Sequence, residues 1–386
     1  MKILFLSFSD FKGGANIAAY SIYKCLNNKK KGSFFYTVYS KYKDTKEIFN
    51  FFQKTFLNLL RIVEILLIKV FLKKKYHQSL NIFNTKIFNK ISCIDADIVN
   101  IHWINRSMIS LHELSKIKNK VVISLHDMWF LNSTQHYFFK NKDYKDFISK
   151  YCLRKKNEIV RKKNFYFIAH NKWMIKKFTE MYPKYKAKIY LCKYYPIDTN
   201  IFKPRNKIYL RKKYNIPQNK KIVLFSAQDI LDKRKGYEYF IEIVNKLQNQ
   251  KDIFFLSLGK NNINLKNRNN LKQIDFLPHN SISEYYSLSD IYLCTSLIDN
   301  LPLTVLEALA SGNVVISFKN GGSTEVLKKV GYTFDIKEKN KIPKFLKNLK
   351  PRKIKEISIK SRKYALQNCN KKKIKNQYIN IFKKII

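Results

Sequence analysis

Acidic residues are scarce in this chain of 386 residues, which has 27 Asp and Glu against 76 Lys and Arg and a formal net charge of +49. An excess of positive charge on this scale invites a nucleic-acid interpretation. The excess is Lys rather than Arg, however, and it is spread along the whole chain with many Asn and Ile residues, which indicates a compositional bias rather than a shaped binding patch. We therefore expect no nucleic-acid partner. A basic protein is still attracted to anionic lipid head groups, so we expect an anionic membrane surface as a partner.

Paired cysteines and long apolar runs are also missing. The six cysteines are scattered and form no Cys-x-x-Cys pair, which predicts reduced, buried thiols in a cytoplasmic protein. No stretch of about twenty uninterrupted apolar residues occurs, so the sequence predicts no membrane-spanning helix. The first residues, Met1 to Ser7, predict a strand rather than a signal peptide, because their apolar run is short and no small-residue cleavage site follows it.

Glycine is rare too, with nine in the chain, so an adjacent pair near the N-terminus stands out. Gly13 and Gly14 follow the first predicted strand and precede a predicted helix from Ala15 to Leu26. A strand, a glycine-rich turn and a helix form the phosphate-binding layout of a doubly wound sheet, and glycine lets a ligand approach the backbone. A plain tight turn would give the same pattern, and the residues alone do not decide between the two.

The chain is long for one hydrophobic core and suits two domains. Apolar strands alternate with helical segments throughout, which predicts an α/β fold. The stretch from Pro196 to Pro204 contains two prolines and several polar residues and predicts the linker between the domains. We place the domains at residues 1–196 and 197–370.

The chemistry is concentrated in a predicted strand, turn and helix near the end of the second domain. The strand is the apolar run from Asp290 to Cys294. Pro302 stands where the first helical residue is expected, and Asp299 and Asn300 just before it are placed to cap free N–H groups. The helix then runs from Leu303 to Ala310. Its N-terminus follows a strand end and is therefore a potential anion site.

Two features lie further along this helix. Gly312 can end it in a left-handed conformation. Glu307 falls between the apolar residues of the helix, on or beside the buried stripe, where a carboxylate needs a partner. It is either a solvated glutamate at the helix edge or a carboxylate that accepts hydrogen bonds from ligand hydroxyls, and the spacing leaves both open.

Residues 299–312 and the following Asn-Val-Val-Ile-Ser resemble the donor-site motif of family 4 glycosyltransferases, which are retaining enzymes of the GT-B fold. The family motif has two acids separated by seven residues, and Asp299 and Glu307 fit that spacing, with Asp in place of the usual Glu. The resemblance implies that Asp299 meets the transferred sugar and that Glu307 holds the ribose hydroxyls of the nucleotide. It also implies donor contacts at the helix start, from Asn300, Leu301, Pro302 and Leu303.

Two other segments carry the resemblance. Arg234 and Lys235, directly before Gly236, match the family's Arg-Lys-Gly motif, and such cations at a helix start would neutralise a leaving diphosphate. Gly13 and Gly14 resemble the family's first loop, which faces the donor phosphates and the acceptor.

Two histidines lie at the ends of predicted strands. His102 is the next-to-last residue of Ala96–Trp103, and His126 directly follows Val121–Leu125. A lone histidine is more often structural, but functional groups in open α/β sheets lie just past the carboxyl ends of strands, and two histidines at equivalent ends favour a functional role. Residues 97–137 resemble a family subgroup that acts in bacterial surface polysaccharide assembly. By that resemblance His126 lies near the sugar or the acceptor.

A helical pattern from Phe56 to Leu72 precedes Lys73-Lys74-Lys75. It predicts either an ordinary amphipathic helix over the core or an interfacial helix with a basic collar that docks on the inner face of the membrane. The pattern leaves both possibilities open.

The resemblance implies a GT-B protein with two Rossmann-like domains facing each other across a cleft, and a C-terminal helix, residues 371–386, that packs back on the N-terminal acceptor domain. It implies a retaining glycosyltransferase that moves a sugar from a nucleotide-diphosphate sugar to a saccharide acceptor, lipid-linked in surface polysaccharide or lipopolysaccharide biosynthesis. By the resemblance, the departing phosphate takes the acceptor proton. No metal cofactor is expected, because the sequence shows no acidic cluster suited to hold one. The expected location is the cytoplasm, peripheral on the inner face of the membrane. The alternatives are a basic protein that binds nucleic acid or another polyanion, and a GT-B protein without activity.

Overall fold

The structure, a computed structural model, describes residues 1–27, 32–72, 77–137, 146–260, 269–275 and 277–386. The chain forms two compact units, Met1–Tyr194 with Ile374–Ile386, and Tyr195–Lys373. Each unit is built around one parallel sheet flanked by helices, so the expected α/β fold is confirmed. The basic collar Lys73-Lys74-Lys75 lies outside the described residues.

Within its described residues, the first unit has a seven-stranded sheet. Its strands are β1 (Ile3–Leu6), β2 (Phe34–Thr37), β3 (Lys46–Glu47), β4 (Ile98–Ile101), β5 (Lys120–Ser124), β6 (Phe165–Ala169) and β7 (Ile189–Leu191). They lie in the order β3-β2-β1-β4-β5-β6-β7, and all neighbours are parallel. Its helices are α1 (Gly14–Leu26), α2 (Phe51–Leu67), α3 (Ile87–Ser92), α4 (Leu111–Lys116), α5 (Phe147–Arg161) and α6 (Lys172–Met181), with a π-helical turn at Ile68–Leu72 and 3-10 turns at Trp129–Leu131 and Pro183–Lys188.

The second unit repeats this plan with six strands among its described residues. They are β8 (Lys221–Asp229), β9 (Ile253–Lys260), β10 (Leu271–Ile274), β11 (Ile291–Cys294), β12 (Val314–Phe318) and β13 (Gly331–Phe334), in the order β10-β9-β8-β11-β12-β13. The helices are α7 (Lys207–Lys213), α8 (Tyr237–Lys246), α9 (His279–Leu288), α10 (Leu303–Ala310), α11 (Ser323–Val330), α12 (Lys341–Asn348) and α13 (Pro351–Asn368), with 3-10 turns at Lys233–Lys235 and Ile336–Glu338. The last helix of the chain, α14 (Lys371–Ile385), begins at the end of this unit. Most of α14 belongs to the first unit.

Continuous apolar runs become the central strands of both sheets. β1, β4 and β11 are buried at every position, as expected for parallel strands that are covered on both faces. In the second unit the core lies between the sheet and α8, where Phe225 and Phe240 pack with their rings 5.0 Å apart.

Each sheet reverses its strand order once, and ligand groups in open α/β sheets lie past the carboxyl ends of the strands at such a point. In the first unit the reversal falls between β1 and β4, and in the second unit between β8 and β11. The loops after these strands contain Gly13, Arg234, Lys235 and residues 299–302, and Gly14 and Leu303 begin the helices that follow. Glu307 lies further along α10, and His126 follows β5.

The start of α10 differs from the prediction. The helix begins at Leu303, and Pro302 is the residue before it, with an extended ψ of 127°. Pro302 is thus not the first helical residue. The carboxylate of Asp299, which was expected to cap this helix, instead accepts hydrogen bonds from Arg234 and Lys235. Gly312, just past the helix, has the expected left-handed φ of 81°.

Across the parts of the chain that the structure describes, we find no helix with both the length and the apolar content that crossing a bilayer requires.

Candidate functional site

In the second unit, two cations and one acid meet where the sheet reverses its strand order. Arg234 Nη1 and Lys235 Nζ each donate to Asp299 Oδ2 over 2.7 Å. Arg234 also donates to Asp232 Oδ2 over 3.1 Å. The structure therefore brings together three of the predicted site residues and adds Asp232, which the sequence analysis did not single out.

Backbone contacts hold the two cations in place. The N–H of Leu297 donates to the carbonyl of Arg234 over 2.7 Å, and the hydroxyl of Thr295 donates to the carbonyl of Lys235 over 3.2 Å. Gly236 follows with φ at +65°, and a Cβ at this position would lie 2.1 Å from the carbonyl oxygen of Thr295. Only glycine permits this approach, so the cation loop is fixed against the end of β11.

The backbone of Asp299 is held in a similar way by a turn that contains the glycine pair Gly321 and Gly322. Its N–H donates to Asn320, and the N–H of Gly322 donates to the carbonyls of Asp299 and Asn300. Gly321 has φ at +127°, and a Cβ there would lie 1.7 Å from the carbonyl oxygen of Asp299. The turn before α10 thus depends on glycine at 321.

Burial and charge act in opposite directions on Asp299. Burial alone would raise the pKa of this carboxyl, but the charges of Lys235 and Arg234 and their hydrogen bonds outweigh it, so the pKa is lowered. Asp299 is therefore an anion at neutral pH, and the two cations that could hold a phosphate are bonded to it.

Glu307 is buried and does not face bulk water, with only 3% of its surface exposed. Its Oε1 accepts a hydrogen bond from Nε2 of His279, the first residue of α9, over 2.6 Å. Burial would lower the pKa of His279, but the charge and hydrogen bond of Glu307 outweigh it and raise the pKa. The interpretation of Glu307 as a solvated glutamate at the helix edge is therefore wrong.

The remaining predicted donor residues of this unit surround the start of α10. Asn300, Leu301 and Pro302 are buried, and Leu303 is partly exposed. A helix start of this kind offers free N–H groups and the positive end of a dipole to an anion.

In the first unit, His126 is part of a hydrogen-bonded chain. His126 Nε2 lies 2.8 Å from Nδ1 of His102, and His102 Nε2 lies 2.8 Å from Oδ1 of Asn100. His170, at the end of β6, stacks on His126 with the ring centres 5.6 Å apart. Three neighbouring strands, β4, β5 and β6, thus each end close to an imidazole.

The direction of this chain follows from its last member. Asn100 Nδ2 donates to the carbonyl of Val122 over 2.9 Å, and a carbonyl can only accept, so Asn100 Oδ1 faces His102. His102 must then carry its proton on Nε2 and accept at Nδ1. His126 must donate from Nε2, which places its lone pair on Nδ1.

Both histidines are neutral at pH 7. Burial lowers the pKa of His102 to about 3, with a smaller contribution from His170. Burial, followed by His102 and His170, lowers the pKa of His126 well below its ordinary value. His126 is therefore an uncharged imidazole at the end of this hydrogen-bonded chain.

A small pocket lies beside this chain, lined in part by His102, Trp103 and His126. Asp127 also lines it and accepts hydrogen bonds from His136 Nδ1 over 2.6 Å and from Trp103 Nε1 over 3.3 Å. Burial would raise the pKa of Asp127, but His136 outweighs it and the pKa is lowered. The pocket therefore presents one anion and neutral imidazoles.

The first glycine pair lies on another strand of the same sheet. Gly13, with φ at 92°, immediately precedes α1, and Gly14 is its first residue. A Cβ on Gly14 would meet no atom within 4 Å. Open space of this kind permits a ligand to approach the backbone, while the left-handed φ of Gly13 is equally consistent with a tight turn.

Sequence reasoning did not select several residues that the structure places at these sites. His279 lies 28 positions before Glu307, so no local spacing connects the two residues. Asn100 lies inside β4, where the sequence pattern indicates only a buried strand residue. For His170 a signal was available, because it directly follows the apolar run from Phe165 to Ala169.

Comparisons with known proteins find similarity to glycosyltransferases. Residues 206–360 match the family model described as Glycosyl transferases group 1. YtcC of Bacillus subtilis (strain 168), which is named as a glycosyltransferase, is 26% identical over 250 residues, covering 59% of this chain and 57% of that protein. The chain thus spans little more than half the length of this relative.

Two solved structures resemble the whole chain. Alr3699/HepE from Anabaena, in complex with UDP, gives a TM-score of 0.71 at 16% identity over 100% of both chains. WaaG, a glycosyltransferase involved in lipopolysaccharide biosynthesis, gives a TM-score of 0.68 at 14% identity over 98% of this chain and 99% of that one. At such identity the likeness speaks for the fold, and the expected GT-B fold is confirmed.

Proposed function

We propose that the chain, whose residues 206–360 match the family model described as Glycosyl transferases group 1, is a retaining hexosyltransferase that uses a nucleotide-diphosphate sugar. The observation that carries the proposal is the cluster of Arg234, Lys235 and Asp299 at the point where the second sheet reverses its strand order. Two cations and a helix start in one place suit a pyrophosphate.

The donor contacts follow from the chemistry of each group. Arg234 and Lys235 bind the diphosphate and exchange part of their bonding to Asp299 for phosphate oxygens. Asp299 then accepts hydrogen bonds from hydroxyls of the transferred sugar. Glu307 accepts from the ribose hydroxyls, with His279 fixing the orientation of its carboxylate.

In the reaction, the bond between the anomeric carbon and the phosphate oxygen breaks, and a bond to the acceptor hydroxyl forms on the same face. The proton of that hydroxyl passes to an oxygen of the leaving phosphate. Lys235 and Arg234 stabilise the negative charge that develops on the diphosphate. His126, which is neutral, lies near the sugar or the acceptor.

We place the acceptor among saccharides carried on a lipid, in lipopolysaccharide or another surface polysaccharide. WaaG, whose fold this chain shares, is involved in lipopolysaccharide biosynthesis, which supports this substrate class. The net charge of +49 supports a peripheral position on an anionic inner membrane face.

Calorimetry with UDP tests the donor proposal, because a structure that resembles this chain holds UDP. We expect UDP to bind with the same affinity in the presence and absence of a chelator, since protein cations rather than a metal neutralise the diphosphate. The control is a nucleic-acid duplex added without nucleotide. Binding of the duplex but of no nucleoside diphosphate would favour the polyanion-binding alternative, which rests on the net charge, and a requirement for metal would contradict the proposed chemistry.

The imidazole chain gives a second prediction. Replacing His102 with Phe keeps the ring but removes the acceptor for His126 Nε2–H, so we expect turnover to fall about ten- to a hundredfold. Ring-nitrogen NMR of His126 should show that its proton is no longer confined to Nε2. The matched control is His112→Phe, at an exposed histidine of the same unit. Unchanged turnover together with an unchanged His126 spectrum would contradict the positioning role of His102.

A further inference from the structure

Helix α2 and the π-helical turn that follows it expose mainly apolar side chains, whereas an ordinary surface helix exposes mainly polar ones. Over Phe51 to Leu72, the side chains at Leu57, Glu64 and Leu72 are buried. Ten large apolar side chains are exposed, in the case of Phe52 to 80%. They are Phe51, Phe52, Phe56, Leu59, Ile62, Val63, Ile65, Leu66, Val70 and Phe71.

The exposed face cannot turn inward without breaking a buried polar contact. Glu64 is 4% exposed, and its Oε1 accepts a hydrogen bond from the N–H of Leu80 over 2.7 Å. Its Oε2 accepts from the hydroxyl of Ser107. Rotation of the helix would remove the partners of a buried carboxylate, which is strongly unfavourable. The inner face is therefore fixed by Glu64.

Single apolar residues on a protein surface are normal, but a contiguous set of this size marks an interaction site. Phe52, Phe56, Leu59, Val63 and Leu66 follow one another at steps of three and four, so they share one stripe of the helix. The helix and the π-turn together are about 30 Å long. Lying flat, such a stripe suits the interface of a bilayer.

The charges near the helix indicate which surface it meets. Between Glu47 and Asp95 the sequence has eight Lys and Arg and one acid, Glu64, which is buried. Lys69 lies on the exposed side of the same helix. A face with apolar residues, basic neighbours and no exposed acid in this segment matches an anionic lipid surface.

A second copy of the chain fits this face less well. It would bring another body of charge +49 against a segment that is itself basic, and like charges repel. We propose that the outer face of α2 and its π-turn is a membrane-docking surface that binds anionic bilayers. The proposal gives a structural element to the peripheral location proposed above, and it does not depend on the glycosyl transfer reaction.

The test is co-sedimentation of the full chain with vesicles that contain no acceptor. We expect binding to vesicles of phosphatidylcholine mixed with phosphatidylglycerol, and much weaker binding to phosphatidylcholine alone. Replacing Phe52 and Phe56 with Ser should weaken binding by about tenfold or more for each side chain. Both side chains are exposed, so the variants should fold, and UDP binding measured in parallel checks this independently.

Phe147→Ser is the matched control, because Phe147 is also 80% exposed and lies outside the helix. Retained vesicle binding in this variant supports the proposal, whereas an equal loss would mean non-specific adhesion and overturn it. No binding to anionic vesicles, or a chain dimer that the Phe52 and Phe56 substitutions dissociate without any vesicle binding, would also overturn it. A chain that binds vesicles but no nucleotide would leave the docking surface intact and refute the proposed function instead.

Discussion

Replacing Lys235 with Ala should lower turnover by about 10²- to 10³-fold, which is the usual cost of removing one preorganised donor to a developing charge. The ammonium group lies 2.7 Å from Asp299 Oδ2. In the proposed mechanism it moves from there to a phosphate oxygen of the donor. The loss should fall mainly on turnover rather than on donor affinity, because the charge on the leaving diphosphate is greatest in the transition state. Steady-state kinetics with a nucleotide sugar measures both.

The matched control for this variant is Lys233→Ala, which removes the same charge from an exposed position in the same loop. It should retain turnover near that of the original protein. Removing Lys235 also removes the largest influence that lowers the pKa of Asp299, so that pKa should rise in the variant. If both lysine variants have equal turnover, Lys235 does not stabilise the leaving group.

Replacing Glu307 with Gln should weaken UDP binding by about ten- to a hundredfold, because hydrogen bonds to a charged group are worth more than those to a neutral one. The substitution keeps the shape of the side chain in a buried position, so packing is preserved. Calorimetry with UDP measures the effect directly, without an acceptor.

The pairing of Glu307 with His279 offers a different explanation that a double-mutant cycle can separate. If Glu307 serves only as a structural partner of the imidazole, His279→Gln should weaken UDP binding as much as Glu307→Gln does. If Glu307 holds the ribose, His279→Gln should have the smaller effect. UDP binding by all of these variants must be measured at the same pH. Because the folded pKa of His279 is raised, the stabilisation from this pair is full below about pH 6.5 and is lost as pH rises through that pKa.

The sequence predicts those strands in which nearly every residue is buried. β1, β6 and β11 are continuous apolar runs, and β4 is apolar apart from Asn100, because both faces of a parallel sheet are covered. The positions of these strands can therefore be read from the sequence. β3 has two exposed residues, and β10 and β13 are only partly buried. Such edge strands have no distinctive pattern, and the sequence analysis did not find them.

The residues of the candidate sites also fall into a predictable and an unpredictable group. Arg234 and Lys235 follow the apolar run Ile222–Phe225, and Asp299 follows the predicted strand from Asp290 to Cys294. The topology of a parallel sheet brings such residues together. His279 and Asn100 reach their partners through packing between elements and the orientation of one amide, which no spacing along the chain reveals. The choice between the two environments of Glu307 likewise depended on a residue that is distant in sequence.

The clamp on Asp299 has a consequence for how this acid can vary. The main chain at this position is held by Asn320, Gly321 and Gly322, and none of these contacts uses the carboxylate. Exchange between Asp and Glu therefore changes the reach of the acid by one carbon–carbon bond, about 1.5 Å, while the peptide stays where it is. If Asp299 meets the transferred sugar as proposed, the length of the side chain at this position sets the distance between the fixed backbone and the sugar.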